Sequence, residues 1–220
     1  LERPLIVDNE RVLSAFAMNP VRVGVIGIGN MGWHHARVLS LIKDAELVGV
    51  ADPDQARGTL ATEQFGCRWF ASYEAMLPEV DAVCIAVPTL LHHRVGLACL
   101  EAGVDVLIEK PIAASQEEAA DLIRAAEAAG RLLQVGHIEH FNPVMGFLEK
   151  EIDEPRYITA ERLAPYQPRG TEVGVVLDLM IHDIGIVLAL VKSPIAKIDS
   201  VGVTVLSKSE DIANARIQFA

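Results

Sequence analysis

From residue 21 the chain alternates short apolar runs with stretches whose apolar residues recur at helical spacing. Runs rich in Val and Ile and bounded by Gly, Asp or Pro predict strands, and the stretches between them predict helices. The predicted strands are residues 21–27 (VRVGVIG), 46–51 (ELVGVA), 67–70 (CRWF), 81–87 (DAVCIAV), 104–109 (VDVLIE) and 131–137 (RLLQVGH), with helices at 30–42, 54–65, 90–102 and 115–129. Ser115 with Glu118 supplies a capping box for the last helix, and Gly130 supplies its terminator. Strands alternating with helices are the signature of a parallel sheet covered on both faces, so residues 21–137 predict a doubly wound α/β domain.

After residue 138 the rhythm changes. A helix at 143–152 is followed by a strand near 156–163 (RYITAERL), a Pro-rich loop at 164–171, an apolar helix at 173–186 and strands at 197–206 and 214–220. This order predicts a second, α+β domain over residues 138–220, built on a mixed open sheet that the chain carries only in part. Residues 1–20 read as an extension ahead of the first strand, with Met18 as the natural start and residues 1–17 lying upstream of it.

The apolar helix VGVVLDLMIHDIGI poses a chemical question. Asp178 and His182 stand four residues apart, a spacing that stacks side chains on one helix face. A carboxylate and an imidazole in so apolar a run either satisfy each other in a core or line a cavity that a substrate enters. Asp183 points elsewhere and reads as structural.

Composition excludes several function classes. The 220 residues are 51% hydrophobic, enough for a sizeable core. A formal charge of −11 argues against nucleic acid or an anionic membrane surface as partner. Cys67, Cys84 and Cys99 have no CxxC spacing and sit among apolar residues, so they read as reduced core residues. No run reaches the roughly 18 apolar residues of a membrane span, and a cytoplasmic protein is expected. No metal site is expected either, since His34, His35 and His93 lack ligand spacing.

Two motifs carry chemistry. The first is Gly27-Ile28-Gly29-Asn30-Met31-Gly32, placed directly between a strand and a helix. Its glycines permit a tight turn, close approach of a pyrophosphate and close packing of helix on strand, while the helix N-terminus faces the phosphates. Asp52 ends the second strand twenty residues after Gly32, placed to accept from a ribose diol and to repel a 2′-phosphate. Together they predict a Rossmann domain that binds NAD. The second motif is Glu109-Lys110-Pro111 at the C-terminal end of the fifth strand, where open α/β sheets bind ligands. A lysine there can stabilise a developing alkoxide.

In order and spacing, VIGIGNMG, the later AD, VPTLLHH, EAGVDVLIEKP, GHIEHFNP and DLMIHDI resemble the glucose-fructose oxidoreductase and inositol dehydrogenase (Gfo/Idh/MocA) family across residues 21–220. RLAPYQPRGTEVGVVLDLMIHDI and DIANARIQFA are most similar to its UDP-N-acetylglucosamine 3-dehydrogenase branch. The resemblance implies a catalytic group of Lys110, Asp178 and His182. It further implies cofactor contacts from Pro88, Thr89, His92 and Glu109, and entry to the substrate domain at Asn142. His182 would take a hydroxyl proton as hydride leaves the same carbon, and Asp178 would orient it. Tyr166 and Arg169, in the loop before the helix, are offered to a ring and a phosphate of the substrate. The expected activity is NAD-dependent oxidation of a sugar hydroxyl, at C3 of UDP-N-acetylglucosamine, in a homo-oligomer. The alternatives are an inositol or free-sugar dehydrogenase of the same family and a non-catalytic dinucleotide sensor.

Overall fold

A computed structural model describes residues 19–166 and 173–220; the expectations for residues 1–17 and for Arg169 lie outside the described residues. The chain divides between Val83 and Cys84 into two compact units.

In the first unit β1 (Val21–Ile26), α1 (Asn30–Leu39), β2 (Ala45–Ala51), α2 (Gln55–Phe65) and β3 (Arg68–Phe70) follow one another. β1 pairs in parallel with β2, and β2 with β3. Val23, Val25, Ile26, Val50 and Ala51 bury their side chains from the strands, Ala36 and Ala61 from the helices. Removing such surface from water is what holds helix to sheet. α2 starts where Asp54 accepts the amides of Ala56 and Arg57 at 3.0 and 3.3 Å. Trp33 lies with its ring 4.8 Å from that of Phe65, and the Trp69 indole donates to the backbone carbonyl of Asp52 at 2.9 Å.

β4 (Ala82–Ile85) spans the division, and α3 (His92–Glu101), β5 (Asp105–Glu109), α4 (Gln116–Ala129) and β6 (Leu133–Gly136) follow. The six strands form one parallel sheet in the order β3-β2-β1-β4-β5-β6, the doubly wound arrangement that the alternation predicts. Predicted and observed boundaries coincide or differ by at most three residues, the usual fraying of element ends. Ser115 Oγ accepts the Glu118 amide at 3.2 Å, but Glu118 reaches back to the Ala114 amide at 3.1 Å, one residue before the cap. Cys67, Cys84 and Cys99 are buried and form no disulfide.

Beyond β6 come a 3-10 turn (Ile138–Phe141), α5 (Pro143–Glu151), a π-helical turn (Val176–Met180), α6 (Ile181–Leu190), and β7 (Ile195–Val203) paired antiparallel with β8 (Ile212–Phe219). Every residue of β7 is exposed, while β8 alternates exposed with half-buried positions. Two expectations need correction. Residues 156–163 form no strand: no ladder takes up their amides and carbonyls, and an unpaired strand has no stability of its own. The apolar helix is not one α-helix, because its first full turn is π-helical. Among the described residues no helix is long and apolar enough to cross a membrane.

Candidate active site

The glycine turn in the first unit is built for close approach. Gly27 has φ +85°, a conformation that side chains resist. A Cβ on Gly32 would sit 1.8 Å from the Gly27 carbonyl oxygen, so the helix can approach the turn there only because Gly32 lacks one. Gly29 differs: its Cβ would point into open space, with nothing within 4 Å. α1 starts at Asn30 with no side chain capping its amides, and Met31 follows in its first turn. Uncapped amides at a helix start, beside a glycine that keeps the approach clear, form a cradle for an anionic group. Asp52 braces the turn. Its Oδ2 accepts the Ile28 amide at 2.8 Å and its Oδ1 accepts the Asp54 amide at 2.8 Å, with the residue 9% exposed. A carboxylate has about four acceptor sites, so this role leaves capacity for a ribose hydroxyl.

In the second unit Lys110 follows the end of β5, its backbone turned by a cis peptide to Pro111. Lys110 Nζ donates to Asp178 Oδ1 at 3.0 Å and to the Asp178 backbone carbonyl at 2.7 Å. That carbonyl is available because the π-helical turn shifts the hydrogen-bond ladder, with the Ile181 amide bonding the carbonyl of Val176 five residues back. An ammonium has three donors. Two are taken here, and the third has no partner among the described residues.

The expected Asp178–His182 stack is not observed: no hydrogen bond or ion pair joins the two among the described residues. The wider turn between them removes the register that places i and i+4 together in an α-helix. Asp178 therefore serves Lys110, and the surroundings of His182 come from elsewhere. Burial, then the positive charges of Lys110 and Arg162, lower its proton affinity below that of an ordinary histidine, against the opposing pull of Glu139 and Asp183. Both causes favour the neutral ring, the form able to accept a proton.

The remaining predicted residues divide. Pro88 precedes a short 3-10 turn that starts at Thr89. His92 is 1% exposed, its Nδ1 lying 2.8 Å from the Pro111 carbonyl and its Nε2 2.9 Å from that of Val87. The ring lies between two backbone carbonyls, one of which takes its N–H, and so bridges two backbone segments. Glu109 is buried against Gly136. Asn142 caps α5, its Oδ1 accepting the Val144 amide at 3.0 Å. Tyr166 is 49% exposed. Arg162 was not anticipated. It grips Asp183 with two nitrogens at 2.9 to 3.2 Å, a pairing that twenty-one residues of separation conceal in the sequence. Among the described residues no cluster of three or more His, Cys, Asp or Glu could hold a metal ion.

Residues 21–137 match the oxidoreductase family Gfo/Idh/MocA, characterised by an NAD-binding Rossmann fold. The chain belongs to this family. Among Gfo/Idh/MocA proteins, the UDP-N-acetylglucosamine 3-dehydrogenase of Acidithiobacillus ferrooxidans is 39% identical over 196 residues, covering 89% of this chain and 62% of that protein. Its solved structure aligns with a TM-score of 0.83 at 38% identity, over 92% of this chain and 64% of the other. Inositol 2-dehydrogenase 1 of Saccharopolyspora erythraea is 36% identical over 139 residues, 60% of this chain and 41% of its own length. The WlbA dehydrogenase of Chromobacterium violaceum, solved with NADH and UDP-GlcNAcA, aligns with a TM-score of 0.81 at 25% identity, over 93% and 65% of the two chains. The chain thus spans less than two thirds of the length of each of these relatives. The glycine turn, the open approach at Gly29 and the brace from Asp52 fit the family's NAD.

Proposed function

We propose that this chain oxidises a secondary hydroxyl of a sugar with NAD, the sugar being UDP-N-acetylglucosamine and the hydroxyl that on C3. The observation that carries the reading is Lys110, pinned to Asp178 by two bonds with its third donor left for a substrate oxygen. His182 takes the hydroxyl proton, its low proton affinity keeping it in the accepting form. The ammonium of Lys110 donates to the oxygen as negative charge builds there, and an electrostatic aid of this kind counts most in a site sheltered from water. Asp178 keeps that ammonium in place. When bound, NAD supplies the hydride acceptor. The likeness to the Acidithiobacillus ferrooxidans enzyme supports the nucleotide sugar, with Tyr166 and Arg169 as the contacts to its ring and phosphate.

A second reading, inositol oxidation, is supported by the relatives named inositol 2-dehydrogenase. NADH formation measured with UDP-N-acetylglucosamine, free N-acetylglucosamine and myo-inositol decides between them. The nucleotide sugar is expected to react fastest, and Arg169→Ala to raise its KM more than it lowers kcat, because a diphosphate contact is held in ground and transition states alike. Faster turnover of myo-inositol would replace the first reading by the second. NAD binding without turnover of any of the three would mark a sensor.

A further inference from the structure

Sequence reasoning assigns Asp178 to His182, yet the structure gives Asp178 to Lys110. The charges around the imidazole are then four. Lys110 follows β5, Glu139 lies on the 3-10 turn before α5, Arg162 lies on the irregular segment after α5, and Asp183 is the next residue on α6 itself. His140, from the same 3-10 turn, approaches Gly185, and Glu149 of α5 and Lys192 border the groove along Ile181 and Leu188.

Of the four, Asp183 is the anion fixed nearest in sequence, and Arg162 holds it. The guanidinium Nε lies 3.2 and 3.1 Å from the two carboxylate oxygens, and its terminal nitrogen lies 2.9 Å from Oδ1. This is the forked geometry that arginine forms with carboxylates and lysine cannot reproduce. The Asp183 side chain is only 17% exposed, so its charge is incompletely screened by solvent. We propose that Arg162 and Asp183 act as a positioning pair for His182, the guanidinium cancelling the charge of the carboxylate that follows His182 on α6. This inference rests on the reading of His182 as the proton acceptor, which needs that ring uncharged. An unpaired Asp183 would hold a proton on His182, and an unpaired Arg162 would drive it off. A pair that only tethered residues 153–166 to α6 would have neither effect.

The experiment is an NMR titration of the histidine ring signals of this chain without substrate or cofactor, with His182 assigned by its absence from a His182→Gln variant. In Arg162→Gln the His182 midpoint is expected to rise, and in Asp183→Asn to fall, each by roughly half a pH unit or more for a partly screened charge at this range. Arg162→Gln combined with Asp183→Asn, which keeps a neutral hydrogen-bonding pair, should bring the midpoint back towards that of the unaltered chain. Shifts of the same sign in the two single variants, or none in either, overturn the proposal. Should a single variant fail to fold, a double-variant midpoint far from the unaltered one overturns it equally. The titration needs no turnover, so the two failures are distinguishable: absence of NADH formation sinks the dehydrogenase reading and with it the purpose of the pair, whereas unshifted midpoints sink the coupling of the pair to His182.

Discussion

Lys110 is joined twice to Asp178, once through the carboxylate at 3.0 Å and once through the backbone carbonyl at 2.7 Å. The second bond does not depend on the side chain of residue 178, so the two partners should respond unequally to substitution. Lys110→Ala is expected to lower kcat by about a hundredfold or more, the usual contribution of a group that acts on a moving proton or charge. Asp178→Asn keeps the carbonyl bond and should cost less, with NAD binding within a few-fold in both. Steady-state kinetics paired with NAD titration checks this. Equal losses in the two variants would show that the backbone bond contributes nothing.

Gly29 and Gly32 should separate cofactor binding from folding. Gly32→Ala drives a methyl group onto the Gly27 carbonyl, a backbone atom that cannot move aside, and overpacking of this kind costs about 1–3 kcal/mol. Gly29→Ala meets no protein atom, so the melting temperature should hold while NAD affinity falls roughly tenfold or more. Unchanged NAD affinity in Gly29→Ala would remove the cradle from this turn.

Asp52→Ala strips the acceptors from the Ile28 and Asp54 amides in a buried corner, a loss of about 1–3 kcal/mol in unfolding experiments. The same change should narrow any preference for NAD over NADP, because a fixed carboxylate repels a ribose phosphate. Dissociation constants for both cofactors test the second half. Tighter NADP binding by the unaltered chain would overturn it.

Two histidines make stability depend on mild acid. His137 and His182 are both less basic in the folded chain than free histidine, His137 through burial and then through its neighbour His140, His182 through burial and then Lys110. Their folded pKa values lie below the unfolded value of about 6.5. Above that value neither state is protonated and nothing is lost. As pH falls through it the unfolded chain takes up protons first, so stability falls. The melting temperature should therefore be lower at about pH 5.5 than at about pH 7.5, with a smaller difference in His137→Gln, His182→Gln. A higher melting temperature at the acid pH would contradict the assignment.

The sequence was most informative where one face of each element is buried. Val23, Val25, Val50 and Ile108 recur at strand spacing and are all buried, and the six-strand sheet follows from them. Asp52 and the glycines were visible because their turn has a fixed spacing. What was hidden depends on distance along the chain or on an irregular turn. Helical periodicity cannot signal a π-helical turn, so Asp178 and His182 read as partners when Asp178 had gone to Lys110. Arg162 and Asp183 meet across twenty-one residues of sequence, a separation that no local pattern bridges. The burial of His92 between the carbonyls of Val87 and Pro111 likewise has no signature in the sequence.

The aromatic contacts of the first unit bear on how the protein can be watched. Trp33 and Trp69 are the two tryptophans of the sequence, one beside Phe65 and one hydrogen-bonded to the backbone of Asp52. Tryptophan emission, excited selectively over tyrosine, therefore originates in the glycine-turn unit alone, and the indole at Asp52 would report any change at that carboxylate. The second unit has no tryptophan, so tryptophan emission and circular dichroism recorded on one denaturation series would resolve whether the two units melt together.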